Sequence, residues 1–242
     1  MDSLLPWLTG GIVGGLIGAL VGGFSKFFWE HWLPDRLTWR RDQRVRQRQL
    51  LATHRDPAVR AINELQGRLW VVLSSGAANY RYVKGQRRGQ YYIESTAFVV
   101  AQYLAWSELM RRQIAALDYR DLSRLLDEVS EGFAHGGPGF QLFLYDQREI
   151  GERLMAASTH DPTAPIFRYS DFRDMMGASD LPESLRALRD ASKHLLEHVE
   201  DESTRAARIQ NALIDLLDFV DPDRRWVRTE RRNRFSIAAA RT

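Results

Sequence analysis

The sequence predicts an all-α protein in which a single N-terminal transmembrane helix with a glycine-zipper face precedes a cytosolic helical bundle. Three observations predict this class. Residues 3–25 are apolar and carry no charged side chain. Elsewhere, apolar residues recur every three or four positions, as on the buried face of a helix. No alternating run of apolar and polar residues is long enough for a sheet.

The composition of the 242 residues excludes several classes of protein. Hydrophobic residues make up 44% and charged residues 27% of the chain, so a packed core is expected and a wholly disordered chain is excluded. Because the chain has no cysteine, it has no disulfide framework, no thiolate nucleophile and no cysteine-bound metal. The net charge of +3 hides an asymmetry, because residues 34–56 and 224–242 are basic and the body between them is acidic.

The first element is the apolar stretch at residues 3–25, which is long enough to cross a bilayer as a helix. The stretch begins after Asp2 rather than after a positively charged region, so we expect a retained anchor and no cleaved signal peptide. Positive charges follow the stretch, and the positive-inside rule therefore places the N-terminus outside and the body in the cytoplasm. The predicted location is the bacterial inner (plasma) membrane, crossed by a single pass.

Small residues in this stretch recur every four positions and would form a nearly bare face on a helix. They are Gly10, Gly11, Gly14, Gly15, Gly18, Ala19, Gly22 and Gly23. Such rows let two helix backbones approach closely, which predicts a homo-oligomer formed through the transmembrane helix. The alternatives are that lipid merely tolerates these residues, or that another protein packs against them.

A basic helix is predicted directly after the span, at residues 34–56. The positively charged side chains of this helix, and Lys26 before it, would contact anionic lipid head groups. The bilayer is therefore a predicted partner. The residues that would contact lipid are Lys26, Arg36, Arg40, Arg41 and Arg44. The alternative is that these charges only set the topology. Pro57 then begins a new helix, since proline disrupts the interior of one.

The bundle is predicted at residues 57–222, with the first 33 residues as the anchor. Residues 94–117 should be its central helix because apolar side chains lie on most of its sides. A second span is excluded there, since only 13 uncharged residues separate Glu94 from Glu108. Further helices are predicted at residues 59–72, 122–133, 145–157, 181–199 and 209–220.

The last segment, residues 223–242, is predicted to be a basic, flexible tail because it has little to bury. Arginines alternate with Trp226 and Phe235 in this tail. They could bind nucleic-acid phosphates or the membrane, whereas the simpler interpretation is a solvated segment that binds nothing.

Candidate catalytic and metal-binding residues come from the histidines. His194 and His198 belong to an H-x-x-E-H pattern, which resembles the inverzincin metalloprotease signature. Arg189 and His194 match the R-x(4–6)-H spacing and resemble the motif of HEPN ribonucleases, which implies metal-independent RNA cleavage. Because two other Arg–His pairs have matching spacing, the favoured interpretation is exposed polar residues on an amphipathic helix. We expect no cofactor and no resident metal.

Three phrases are similar to bacterial single-pass membrane-anchored helical proteins of uncharacterised function. They are I-E-S-T-A-F-V-V-A-Q-Y-L-A-W-S-E at 93–108, D-Q-R-E-I-G-E at 146–152 and L-I-D-L-L-D-F-V-D-P at 213–222. The resemblance implies a helical body and no catalytic residues.

The predicted function is that of an oligomeric scaffold, adaptor or sensor, more a binding protein than an enzyme, whose bundle presents an acidic surface to a cytosolic protein partner. One alternative is a membrane-disrupting, pore-forming effector, as in phage defence. The other is a membrane-tethered HEPN-like ribonuclease, in which nucleic acid would be the partner.

Overall fold

The computed structural model describes residues 33–76, 80, 83–115, 119–135, 137, 139–157 and 168–236. These residues form helices and no strand, which confirms the predicted all-α class. The chain divides into two compact units, residues 1–49 and residues 50–242.

Seven α-helices are present in the described part of the chain. They are α1 (Leu33–Val71), α2 (Arg87–Ile114), α3 (Arg120–Ala134), α4 (Leu144–Ala157), α5 (Tyr169–Met176), α6 (Glu183–Glu197) and α7 (Val199–Val220). A π-helical turn, Val72–Gly76, follows α1, and a 3₁₀ turn, Thr229–Arg231, follows α7.

The described residues of the first unit, 33–49, form the beginning of α1. The predicted lipid-binding residues Arg36, Arg40, Arg41 and Arg44 belong to this part of the helix. Lys26 lies outside the described residues. So do the small residues predicted to mediate oligomerisation, Gly10, Gly11, Gly14, Gly15, Gly18, Ala19, Gly22 and Gly23.

The predicted localisation, a single pass through the bacterial inner membrane, needs correction. Among the described residues, no helix combines the length and the apolar character that a membrane span requires. The 39-residue helix α1 carries arginines along its whole length, and the 28-residue helix α2 contains Glu94, Glu108, Arg111 and Arg112. The apolar stretch at residues 3–25 lies outside the described part of the chain.

Helix α1 continues through Pro57, so the predicted break at residues 56 and 57 is wrong. Proline removes one backbone hydrogen bond and strains the preceding turn. Burial on the following turns compensates for this strain, because Ile62, Leu65 and Leu69 are completely buried in the core. Tertiary packing therefore overrides the local preference of proline in this helix.

Helix α2 is the centre of the second unit, as the sequence predicts. It packs against α3, α4, α5 and α6, while α3 packs along α7. Its side chains Tyr103, Leu104 and Met110 are fully buried. A helix surrounded in this way needs apolar residues on most of its faces.

The residues after α7 form a packed C-terminal segment, residues 221–236, so the flexible tail predicted at 223–242 is wrong over residues 223–236. Residues 237–242 lie outside the described part of the chain. The carboxylate of Asp221 is completely buried and accepts hydrogen bonds from the backbone N–H groups of Arg225, Trp226 and Val227. The buried guanidinium of Arg232 lies 2.5 Å from Oδ2 of Asp221. A charge pair of this kind persists in a core because each charge satisfies the other.

Candidate functional site

The predicted site residues lie at the junction of α6 and α7. His194 is in the last turn of α6 and His198 connects the two helices, and their ring centroids are 4.5 Å apart. Arg189 lies one turn earlier, where its Nε is 3.6 Å from Oδ1 of Asp190. Among the described residues, no hydrogen bond or ion pair joins Arg189 to His194. The structure therefore brings the two histidines together but leaves Arg189 out of their contacts.

A buried carboxylate, Glu202, completes what we term the histidine cluster: His194, His198, Glu202 and Arg205. Nδ1 of His194 is 3.4 Å from Oε1 of Glu202, and Nη1 of Arg205 is 3.3 Å from Oε2 of the same residue. Arg205 also donates a hydrogen bond of 2.8 Å to the carbonyl oxygen of Gly137. These contacts hold the loop between α3 and α4 against the α6–α7 junction.

The cluster does not reproduce the arrangement that the H-x-x-E-H pattern predicts. Glu197, the acidic residue of that pattern, has its Oε1 3.2 Å from Nζ of Lys84 and so belongs to a different ion pair. Within the described residues, no group of three or more histidine and acidic side chains is arranged to hold a metal ion. The positions of His194 and His198 thus fit a structural role for the cluster.

Among the described residues of the second unit, the most exposed apolar surface is the ledge, which consists of Phe143, Leu144 and Tyr145. Their exposed fractions are 60%, 49% and 83%. Phe140 and Leu142, which precede α4, are fully buried in the core, whereas Phe143 is exposed. The first turn of α4 then carries Leu144 and Tyr145 out of the bundle as well.

Three neighbouring carboxylates lie at the ledge, those of Asp146, Glu149 and Glu183. Partial burial is the main cause of the raised pKa of Asp146, and the charges of Glu149 and Glu183 raise it further, while a hydrogen bond from the backbone of Phe143 opposes them. Glu149 is paired with Arg153, and Arg148 lines the cavity beside Leu144. The three carboxylates form an acidic rim that also has arginines next to it.

A cavity of about 190 Å³ opens beside the ledge, between α2, α3 and α4. Leu144 of the ledge lines it together with Gln147. The side-chain nitrogen of Gln147 donates to the carbonyl oxygens of Ser130 and Leu142, each at 2.9 Å. Its side-chain oxygen is buried and accepts no hydrogen bond in the structure. A buried acceptor without a donor is uncommon in proteins, although seven other buried side-chain atoms of the described residues also lack a hydrogen-bond partner.

The sequence contained a signal for the ledge that motif searches do not detect. Residues 140–145 read F-Q-L-F-L-Y, and three large apolar residues stand side by side at its end. Neither a helix nor a half-buried strand can bury three consecutive side chains on one face. On an element with a single apolar face, one or more of them would be exposed, although the sequence does not say which.

Comparison with known proteins returns no relative for this chain. No family model matches the sequence, and no curated protein matches it. No solved structure matches it either. The chemistry of the ledge and of the cavity beside it is what remains to indicate a function.

Proposed function

We propose that the protein is a scaffold or adaptor that binds a partner protein through the ledge and the adjoining cavity. The observation that carries this proposal is the exposure of Phe143, Leu144 and Tyr145 at consecutive positions. Contiguous apolar surface on a folded unit is typical of an interaction site. Aromatic residues contribute most to such interfaces because they bury a large area with few rotatable bonds.

The surroundings of the ledge define the chemistry of the partner. Asp146, Glu149 and Glu183 give it a negative rim, so the partner should be basic next to its apolar anchors. The free acceptor of Gln147 would take a hydrogen-bond donor from the same partner. A basic amphipathic helix with arginine or lysine beside leucine meets both requirements.

The proposal is tested with the full chain and a labelled helical peptide of leucine and lysine, followed by fluorescence anisotropy. Replacing Phe143 and Tyr145 together by serine should weaken binding at least tenfold, because losing two aromatic anchors removes about 1.4 kcal/mol or more. Tyr91→Ser is the matched control, since Tyr91 is an exposed aromatic residue outside the ledge. Equal binding by the double variant and the control would refute a role for the ledge.

No specific observation on the described residues favours the two alternatives, the membrane-disrupting effector and the ribonuclease. Arg189 lies 3.6 Å from Asp190 and His194 lies 3.4 Å from Glu202, and no described contact joins Arg189 to His194. The scaffold or adaptor is therefore the function that we propose.

A further inference from the structure

The C-terminal segment lies in a groove between α1 and α7, where side-chain amides contact its main chain. Gln66 donates a hydrogen bond of 3.0 Å to the carbonyl oxygen of Arg231, and Gln210 donates one of 2.8 Å to that of Asn233. Asn211 donates to the carbonyl oxygen of Phe235 at 3.1 Å. The N–H of Phe235 donates in return to the side-chain oxygens of Gln210 and Asn211.

These contacts recognise a backbone and not a particular sequence. Gln66 and Gln210 are buried, and Nε2 of Gln210 lies 3.4 Å from Oε1 of Gln66, so the two helices present their amides together. The amides satisfy main-chain groups that a neighbouring strand would satisfy in a sheet. Recognition of main-chain groups is a recurring mode of peptide binding.

The side chains of the segment add specificity through charge. Arg232 lies 2.7 Å from Asp218 and 2.5 Å from Asp221, and Arg234 lies 2.6 Å from Asp215. The three aspartates are spaced every three residues, on neighbouring positions of one face of α7 and its end. The two arginines are two residues apart on the segment, and each forms an ion pair with an aspartate of this row.

An aromatic contact fixes the end of the segment. The ring of Phe235 packs edge-on against Trp70 of α1, with centroids 5.8 Å apart. Beside the segment remains a cavity of about 290 Å³, lined by Gly67, Trp70, Val71 and Asn233 among others. The segment therefore does not fill the groove completely.

We propose that this groove is a binding site for an Arg-x-Arg-Phe segment of a partner protein, and that residues 232–235 of this chain are its resident competitor. The groove supplies backbone-directed amides, an acidic row and an aromatic wall, and the resident segment uses all three. A partner segment binds by displacing the resident one. The apparent affinity for the partner segment is therefore the intrinsic affinity multiplied by the fraction of time that the groove is open. This site is separate from the ledge and does not depend on it.

The test uses the full chain and a labelled peptide that carries residues 229–236, Thr-Glu-Arg-Arg-Asn-Arg-Phe-Ser. The variant Arg234→Ala/Phe235→Ala loosens the resident segment at its outer end and leaves Arg232 in place. Loss of one ion pair and one aromatic contact should raise the apparent affinity for the peptide about tenfold over the wild-type chain. Arg228→Ala, which changes an exposed arginine of the same segment, should leave it unchanged.

Two further peptides distinguish specific binding in the groove from non-specific electrostatic attraction. A peptide with alanine at the positions of Arg232, Arg234 and Phe235 should not bind the loosened chain, and a scrambled peptide of equal charge should bind at least tenfold more weakly. Absence of saturable binding to a loosened chain with unchanged helix content, or equal binding of the scrambled peptide, would overturn the proposal. If the double variant fails to fold, Arg234→Ala alone serves, because that side chain is 47% exposed. Replacing Phe143 and Tyr145 by serine should not affect this peptide, which separates the groove from the ledge.

Discussion

At the scale of single residues, Gly139 shows how the loop between α3 and α4 is held in place. Its φ angle of +124° is one that residues with a side chain rarely adopt. A Cβ atom at this position would lie 1.9 Å from Oε1 of Glu202 and 2.9 Å from Cε1 of His194. The histidine cluster therefore requires glycine for two independent reasons, the backbone conformation and the close contact.

Gly137 offers a matched comparison for Gly139. It also has a positive φ, +87°, but a Cβ atom there would meet nothing within 4 Å. We expect Gly139→Ala to lower the free energy of unfolding by roughly 2 to 4 kcal/mol, because strain and overpacking add. Gly137→Ala should cost about 1 kcal/mol from strain alone. Urea denaturation of both variants measures the difference, and equal losses would contradict the close contact at Gly139.

The residue scale is also where the sequence is least predictive. The pattern at residues 194–198 correctly places His194 and His198 near one another, and the structure agrees. It does not reveal Glu202, which comes four residues after the pattern and lies within 3.4 Å of His194. That contact depends on the break in helical conformation at His198, with φ −127° and ψ 46°, which turns α7 back towards α6. No local spacing encodes such a turn.

At the scale of helices, two glycines distinguish a close helix contact from an open surface. A Cβ atom at Gly151 of α4 would lie 2.8 Å from the carbonyl oxygen of Leu104 and 2.9 Å from Cβ of Glu108, both on α2. A Cβ atom at Gly67 of α1 would meet nothing within 4 Å. Of these two glycines, only Gly151 is therefore needed for the close approach of two helix backbones.

Alanine at these two positions should have opposite effects. Gly67→Ala should raise the free energy of unfolding by about 0.5 to 1 kcal/mol, since alanine is the better helix former. Gly151→Ala should lower it by roughly 1 to 3 kcal/mol, because α4 must move away from α2. Equilibrium unfolding with circular dichroism tests both variants. A gain in stability for Gly151→Ala would show that α2 and α4 can move apart without a loss of free energy of unfolding.

The helical spacing of apolar residues predicted the central helix α2, the helices α3 and α6, and α7 over residues 209–220. A helix was also predicted where α4 lies, whereas α5 and the first half of α7 were not predicted. The break at Pro57 was predicted wrongly, because a local preference was weighed without the burial of Ile62 and Leu65. The ledge was missed for a related reason: α4 begins at Leu144, but its exposure depends on how the preceding loop is anchored.

At the scale of the second unit, the C-terminal segment joins α7 to α1. Arg55 of α1 donates a hydrogen bond of 2.9 Å to the carbonyl oxygen of Val220, at the end of α7. Asp221, the next residue, binds the backbone of residues 225–227 and the side chain of Arg232. The basic composition that suggested a solvated tail is what allows this segment to pair with the acidic row on α7. Composition alone could not predict that outcome, because the two partners lie on different elements.

The unit should therefore lose stability when Asp221 changes. Asp221→Asn leaves the buried guanidinium of Arg232 with only Asp218 as a charged partner, and we expect a loss of roughly 3 kcal/mol. Trypsin should then cut the arginine-rich segment faster, since local opening exposes it. Asp223→Asn, at an exposed position two residues later, is the control and should change stability by less than about 0.5 kcal/mol. Unfolding midpoints and digestion rates that do not differ between the two variants would exclude an anchoring role for Asp221.

The contact between Gln66 and Arg231 also has a consequence for the order of biosynthesis. The two residues are 165 positions apart, so at roughly 5 to 20 residues per second the ribosome makes the second about 8 to 33 s after the first. During that interval the amides of the nascent helix have no resident segment to bind. A polypeptide released before Arg231 is translated would lack the resident segment. The groove would then stay unfilled, and its polar side chains would be accessible to quality-control proteases.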